Sequence, residues 1–366
     1  MRNTNPGTGT VRTVVHEGDG LKISYIRQPD ARVLVFSFTE RGNFELAGDG
    51  FGGDFLLGNG FDVVAIKSAR SSWFEEVAPV LPRIHAALDQ AAVRYDLRVC
   101  YGSSMGGHGA MRYAAALGAN RVIAISPLFD IRDPADTRYA EDIRLLTSDP
   151  MIRADGFSPN CDYVVLYDPR GPDAPHVARF GAVVAPGRLR PVRLPYSGHP
   201  SGYFLAQTGL LKPVVEALIR GGALPKLRGP AVARRRSSVY LYCLADGCLR
   251  ANKPGWAAAL LDTALDRAPR DAELLALKSR ALTGLRDWDG AEAAARAAMA
   301  ADAGNGHRQM LLVDVLTARG ALPAALAVLD KMIGEAPGVG HYAWLRQEVA
   351  ARISAAAGGQ PQYWAT

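Results

Sequence analysis

Apolar positions keep two different rhythms along this chain. In residues 11 to about 228 they gather in short runs at 11–15, 21–27, 33–38, 62–67, 97–101, 122–126, 163–167 and 189–194. Short runs rich in β-branched and aromatic residues, bounded by turn formers, predict strands. Several are nearly continuous in apolar residues, the pattern of strands covered on both faces. Between the later runs the spacing turns helical, at 73–90, 105–117 and 202–220. This alternation predicts an α/β fold with a mostly parallel sheet and flanking helices. The first strands follow one another with no helix between them, so that edge is expected to be antiparallel.

From about 237 onward the strand runs stop, and Ala and Leu recur at helical spacing. A period of 34 residues relates Ala257, Ala291 and Ala325, then Leu261, Ala295 and Leu329, then Ala264, Ala298 and Met332. Pro269, Ala303 and Pro337 close the three units, and Ala245 and Leu282 fall at core positions of first helices. This register resembles tetratricopeptide repeats, which pack small residues where helices touch and often end before a proline. Ala303 departs from the repeat's proline, and Ser279 stands where the family has Gly or Ala. The resemblance implies an all-α repeat domain with a protein-docking surface. The divisions expected are 1–228 for the α/β domain, 229–237 for a linker, 238–355 for the repeats and 356–366 for a fraying tail.

Composition narrows the function. The net charge is +6 and the sequence pI about 9.2. The basic residues are scattered, and the tight run Arg234-Arg235-Arg236 falls in the expected linker. That distribution argues against a nucleic-acid surface. Cys100, Cys161, Cys243 and Cys248 show no C-x-x-C spacing, and the first two read as small buried hydrophobes. Residues 1–10 lack the apolar core of a signal peptide, and no run has the length of a membrane span. Together these lead us to expect a cytoplasmic protein. No phosphate loop, metal cluster or cofactor fingerprint is evident, so no cofactor and no metal are expected.

The sharpest chemical signal is Gly102-Ser103-Ser104-Met105-Gly106, a G-x-S-x-G between the strand run at 97–101 and the helical run from 105. A strand, tight turn and helix in this order lift the central serine hydroxyl clear of the sheet. A serine at neutral pH is a weak nucleophile and needs a base, which in turn needs an orienting group. Downstream of Ser104 lie His108, His176, His199, His307 and His341. The last two belong to the repeats, and His108 sits one turn into the helix after Ser104. His199 lies in the loop 195–202 after the last strand, among small residues. The loop 168–176 after the preceding strand carries Asp168, Asp173 and His176.

On Ser104 in its elbow, His199 in its Gly-His loop and an aspartate between them, residues 11–228 resemble an α/β-hydrolase. The Met105-Gly106-Gly107 continuation is similar to esterase-like members. The family's chain order, serine then acid then histidine, implies His199 as base, preferred to His176. It implies Asp173 as acid, with Asp168 as the alternative that could instead pin the turn. The oxyanion hole would use the N–H of Met105 and that of Thr39, or of Glu40, after the strand 33–38. The usual His-Gly after that strand is missing. The segment 135–156 is either a cap over the site or a surface helix, and Trp73 either lines the pocket or belongs to the core. The resemblance implies a serine hydrolase, carboxylesterase- or thioesterase-like, acting on a small-molecule or acyl substrate. The same triad also serves an acyltransferase. A non-catalytic interaction protein on a hydrolase-like fold is the third reading, and the three triad residue types in order argue against it.

Overall fold

The computed structural model describes residues 2–4, 9–153, 156–227 and 231–358. The chain divides into two units, Met1–Ala233 and Arg234–Thr366. This division falls inside the stretch 229–237 expected to be a linker. Residues 229 and 230 lie outside the described residues, as does 359–366 of the expected tail, while Ala231–Arg236 form a short helix.

The first unit is built on β1 (Arg2–Thr4), β2 (Val11–Gly18), β3 (Leu21–Arg27), β4 (Val33–Phe38), β5 (Asp62–Ser68), β6 (Leu97–Ser103), β7 (Arg121–Ile125), β8 (Asp162–Tyr167) and β9 (Leu189–Arg193). Among the described residues these form one nine-stranded sheet in the order β1-β2-β3-β5-β4-β6-β7-β8-β9. β1, β2 and β3 join antiparallel, and β3 meets β5 antiparallel. Every pairing from β5–β4 to β9 is parallel. All eight strands expected from the apolar runs are present. β1 was not foreseen, because Arg-Asn-Thr carries no apolar signal. Phe36 and Phe38 of β4 pack on one face of the sheet with Ile66, Phe74 and Met111. Residues of the opposite parity, Val35, Val63, Ile123 and Leu166, are fully buried as well, so both faces are covered.

The helices of this unit are α1 (Gly53–Gly58), α2 (Leu81–Ala91), α3 (Met105–Tyr113), α4 (Ala140–Leu145), α5 (Ala174–Val183), α6 (Ser201–Gln207) and α7 (Leu211–Arg220). Two expected helices are corrected. The run 73–90 is not one helix: Trp73 and Phe74 hold positive φ, and Glu75–Val80 wind as a 3₁₀ turn containing Pro79. Pro79 lacks the N–H that a regular helix would use there, so α2 begins afresh with Pro82 in its first turn. The run 202–220 breaks at Gly209, whose φ of 72° ends α6 before α7 starts.

In the second unit, after α8 (Ala231–Arg236), come α9 (Ser238–Arg250), α10 (Pro254–Leu265), α11 (Ala272–Leu285), α12 (Trp288–Ala301), α13 (Gly306–Arg319), α14 (Leu322–Glu335) and α15 (Gly340–Gly358). α9, α11, α13 and α15 start 34 residues apart. Ser237, Asp271 and Asn305 precede three of these starts, and each side chain accepts a first-turn N–H. The helix repeat is thus punctuated by N-caps at the same period. All nine residues of the three small-residue phases are at most 1% exposed. Ser279, the departure noted above, is buried and donates its hydroxyl to Ala291 O at 2.9 Å. The extra oxygen is accommodated by a hydrogen bond rather than by space.

Candidate active site

Ser104 sits at the turn between β6 and α3 with φ 54° and ψ −115°, a backbone state that L-residues rarely adopt. Its N–H is held by Ile125 O at 2.8 Å, which fixes the turn against β7. Two glycines make the turn sterically feasible. A Cβ on Gly102 would lie 2.2 Å from Gly106 O, and one on Gly106 would lie 2.3 Å from Phe38 O.

Ser104 Oγ is 2.9 Å from His199 Nε2, and His199 Nδ1 is 2.7 Å from Asp173 Oδ1. Asp173 is fully buried and Ser104 nearly so. A carboxylate can only accept, so the His199 Nδ1–H donates to it and Nε2 is left with its lone pair facing Ser104. Asp173 stands at the N-terminus of α5, where the helix dipole favours a negative charge. Arg138 donates to the same Asp173 oxygen at 3.2 Å, while Asp173 Oδ2 is buried without a partner.

Asp168, the alternative acid, is not on the ring. Its Oδ1 accepts the Arg170 N–H at 2.9 Å, and its Oδ2 accepts the Gly198 N–H at 3.0 Å. It pins both its own turn and the loop that carries His199. Ser197, Ser201 and Ser126 brace the same loop. Ser197 and Ser201 hydroxyls lie 2.7 Å apart, and Ser201 N–H donates to Ser126 Oγ at 3.0 Å. His176 is engaged elsewhere, with Nε2 3.1 Å from Asp136 and Nδ1 accepting the Phe129 N–H at 3.3 Å. His108 is fully buried beside Trp73 and directs Nδ1 at Leu128 O. Burial pushes its pKa down to about 3, so it stays neutral.

The expected oxyanion donors divide. Met105 opens α3, where the first-turn amides have no intrahelical acceptor. Thr39 is a correction: its N–H donates to Ile66 O at 3.2 Å, extending the β4–β5 ladder by one bond. That amide is already committed, which leaves the neighbouring N–H of Glu40 as the second candidate. A cavity of about 450 Å³ borders this strand end, lined by Thr39, Asn43, Gly52, Phe55 and Lys67 among others.

The described part of the segment, 135–153, reaches the site through Arg138 and Tyr139. Thr137–Tyr139 form a 3₁₀ turn before α4, and Tyr139 Oη lies 2.9 Å from His199 Nε2. Trp73 is wholly buried and donates its indole N–H to Asp142 Oδ2 at 3.1 Å, so it anchors this segment from below. Arg41 closes a two-bond pair with Asp142, both bonds 2.8 Å. Neither Arg138 nor Tyr139 carries a sequence motif. Only the charge density of the segment hinted that it does more than connect β7 to β8.

No family model and no curated protein matches the chain. Among solved structures it is similar to an esterase of Pyrococcus furiosus, at 14% identity and a TM-score of 0.41, over 60% of this chain and 94% of that one. A capsule O-acetyltransferase of Neisseria meningitidis serogroup A matches at 13% identity and a TM-score of 0.41, over 60% of this chain and 96% of that one. A thermophilic TPR protein of Thermus thermophilus matches at 22% identity and a TM-score of 0.27. That match takes in 32% of this chain and 63% of the TPR protein, less than two thirds of its length. Sheet order, elbow and helix period together describe an α/β-hydrolase-like unit followed by tetratricopeptide-like repeats.

Proposed function

We propose that the first unit is a serine hydrolase that cleaves an ester or thioester through an acyl-enzyme on Ser104. The observation that carries this reading is the unbroken hydrogen-bond chain Ser104 Oγ–His199 Nε2, His199 Nδ1–Asp173. In the proposed reaction Nε2 takes the Ser104 proton as Oγ attacks the acyl carbon. The proton then passes to the leaving oxygen or sulfur as its bond to the acyl carbon breaks. Water repeats the sequence with His199 again as base, and frees the acid. The N–H groups of Met105 and Glu40 are proposed to hold the negative oxygen of each tetrahedral intermediate, aided by the N-terminal dipole of α3.

A fluorophosphonate probe tests the reading directly. One equivalent of label is expected, mapped to Ser104 by peptide mass spectrometry and blocked by a short p-nitrophenyl ester. Folded protein that takes up no label would sink the proposal and favour a non-catalytic interaction protein.

The repeats of the second unit are proposed to dock a protein partner or a large substrate, not to take part in the chemistry. A chain ending at Ala233 is therefore expected to cleave small p-nitrophenyl esters at within about twofold of the full-length rate, since no group named in the reaction lies beyond it. A large loss of turnover in a folded truncate would place part of the site in the repeats.

A further inference from the structure

His199 Nε2 has one lone pair and two hydroxyls in front of it. Ser104 Oγ and Tyr139 Oη are each 2.9 Å away. One lone pair cannot serve two donors fully, so Tyr139 occupies a place that the triad alone does not require.

That place has a chemical meaning. After acylation begins, the proton taken from Ser104 rides on Nε2. The leaving oxygen must come within hydrogen-bond distance of Nε2 to receive it. An oxygen there also comes within reach of Tyr139 Oη. Burial raises the Tyr139 pKa to about 12, so the phenol keeps its proton and acts as a donor across the neutral range.

The side chain is held there rather than resting there. Its ring packs nearly at right angles to Trp73 with centroids 4.9 Å apart, and the guanidinium groups of Arg138 and Arg41 lie 5.1 and 5.8 Å from its centroid. Arg138 is fixed by Asp136 at 2.6 Å as well as by Asp173, and Asp136 is fixed by His176. Asp142, three residues beyond Tyr139, is tied to Arg41 and Trp73. A donor locked on both sides is pre-organised, and pre-organised donors aimed at developing charge are the efficient ones.

We propose that Tyr139 is a further catalytic residue of the Ser104 site, donating a hydrogen bond to the leaving-group oxygen as its bond to the acyl carbon breaks; this rests on the serine-hydrolase reading. The proton transferred still comes from His199 Nε2. The Tyr139 proton stays on its own oxygen and stabilises the negative charge that builds on the leaving atom.

The test is leaving-group dependence. A p-nitrophenolate departs with little help, whereas an ethoxide needs its charge neutralised. Tyr139→Phe is expected to lower kcat/KM on an ethyl ester about 10- to 100-fold more than on the p-nitrophenyl ester of the same acid, as befits a lost hydrogen bond to a charged oxygen. Circular dichroism and the melting midpoint of the variant should match those of the native protein. Equal losses on both esters would mean a structural role, and a gain on both would mean that Tyr139 merely plugs the site. Either result overturns the proposal. If the native protein cleaves neither ester and Ser104 takes no label, the serine-hydrolase reading fails and this one with it. Turnover with an unchanged ester ratio overturns the Tyr139 role alone.

Discussion

Asp173→Asn is expected to lower kcat by about 10⁴-fold while leaving the fold intact. The carboxylate holds His199 in the one tautomer that offers Nε2 to Ser104. A carboxamide at 173 can turn its NH₂ toward Nδ1 and favour the opposite tautomer, with the proton on Nε2 and no base facing the serine. Nothing nearby replaces the lost charge. Asp173 is fully buried, its second oxygen has no partner, and the nearest other carboxylate in the network, Asp136, is taken up by Arg138 and His176. Burial works to raise the Asp136 pKa, but the hydrogen bonds from Arg138 and His176 win and hold it well below the usual carboxylate range.

Asp168→Asn is the matched comparison. Its two oxygens accept two backbone N–H groups, and an amide keeps one of those acceptors. The His199 loop would loosen while the base keeps its acid, and a loss of about tenfold is expected. Steady-state turnover of one p-nitrophenyl ester by both variants decides between the aspartates. A collapse in Asp168→Asn with Asp173→Asn still active would reverse the assignment.

The sequence carried the elements that are held by strong local signals. Continuous apolar runs located β4, β7 and β8 to within a residue, because a strand covered on both faces has little room for polar positions, whereas β9, with Arg190 and Arg193, was marked by its place before the His199 loop. The period of 34 located the buried helix contacts, because each unit repeats the same small-residue interface. The meeting of Ser104 with His199 was legible because a tight turn and a loop after the last strand each leave a short composition mark. The choice between Asp168 and Asp173 was not legible. Both lie on the loop 168–176, and the decision depends on which carboxylate the α5 N-terminus presents to the ring.

Other failures have equally physical causes. The Thr39 N–H could not be judged free without knowing that the β4–β5 ladder runs one bond past the last residue of β4. Tyr139 and Arg138 lie far from Ser104 in sequence and on a turn with no motif, so only their hydrogen bonds reveal them. The helix expected over 73–90 failed because apolar spacing outweighed Pro79 in the reading, whereas in the fold the missing N–H decides.

Gly106→Ala is expected to destabilise the first unit by about 3 kcal/mol or more. The added methyl would stand 2.3 Å from Phe38 O and 2.8 Å from Thr39 O. Both obstacles are backbone atoms at the end of β4, a strand paired on both sides, so neither can rotate away as a side chain would. Gly58→Ala is the control, since a Cβ at that position in α1 meets nothing within 4 Å. It is expected to be neutral or slightly stabilising, because Ala has the better helix propensity. Urea midpoints from near-ultraviolet circular dichroism measure both, and equal midpoints would remove the steric argument. The consequence for chemistry is larger than the loss of stability suggests. The atoms that the methyl would push, Phe38 O and Thr39 O, directly precede the Glu40 N–H proposed for the oxyanion. A folded remnant of Gly106→Ala is thus expected to lose turnover beyond its unfolded fraction, because one substitution moves the proposed nucleophile, Ser104, and the proposed second oxyanion donor apart. The close approach of helix and strand at Gly106 is at once a packing contact of the sheet and the distance across which the proposed reaction takes place.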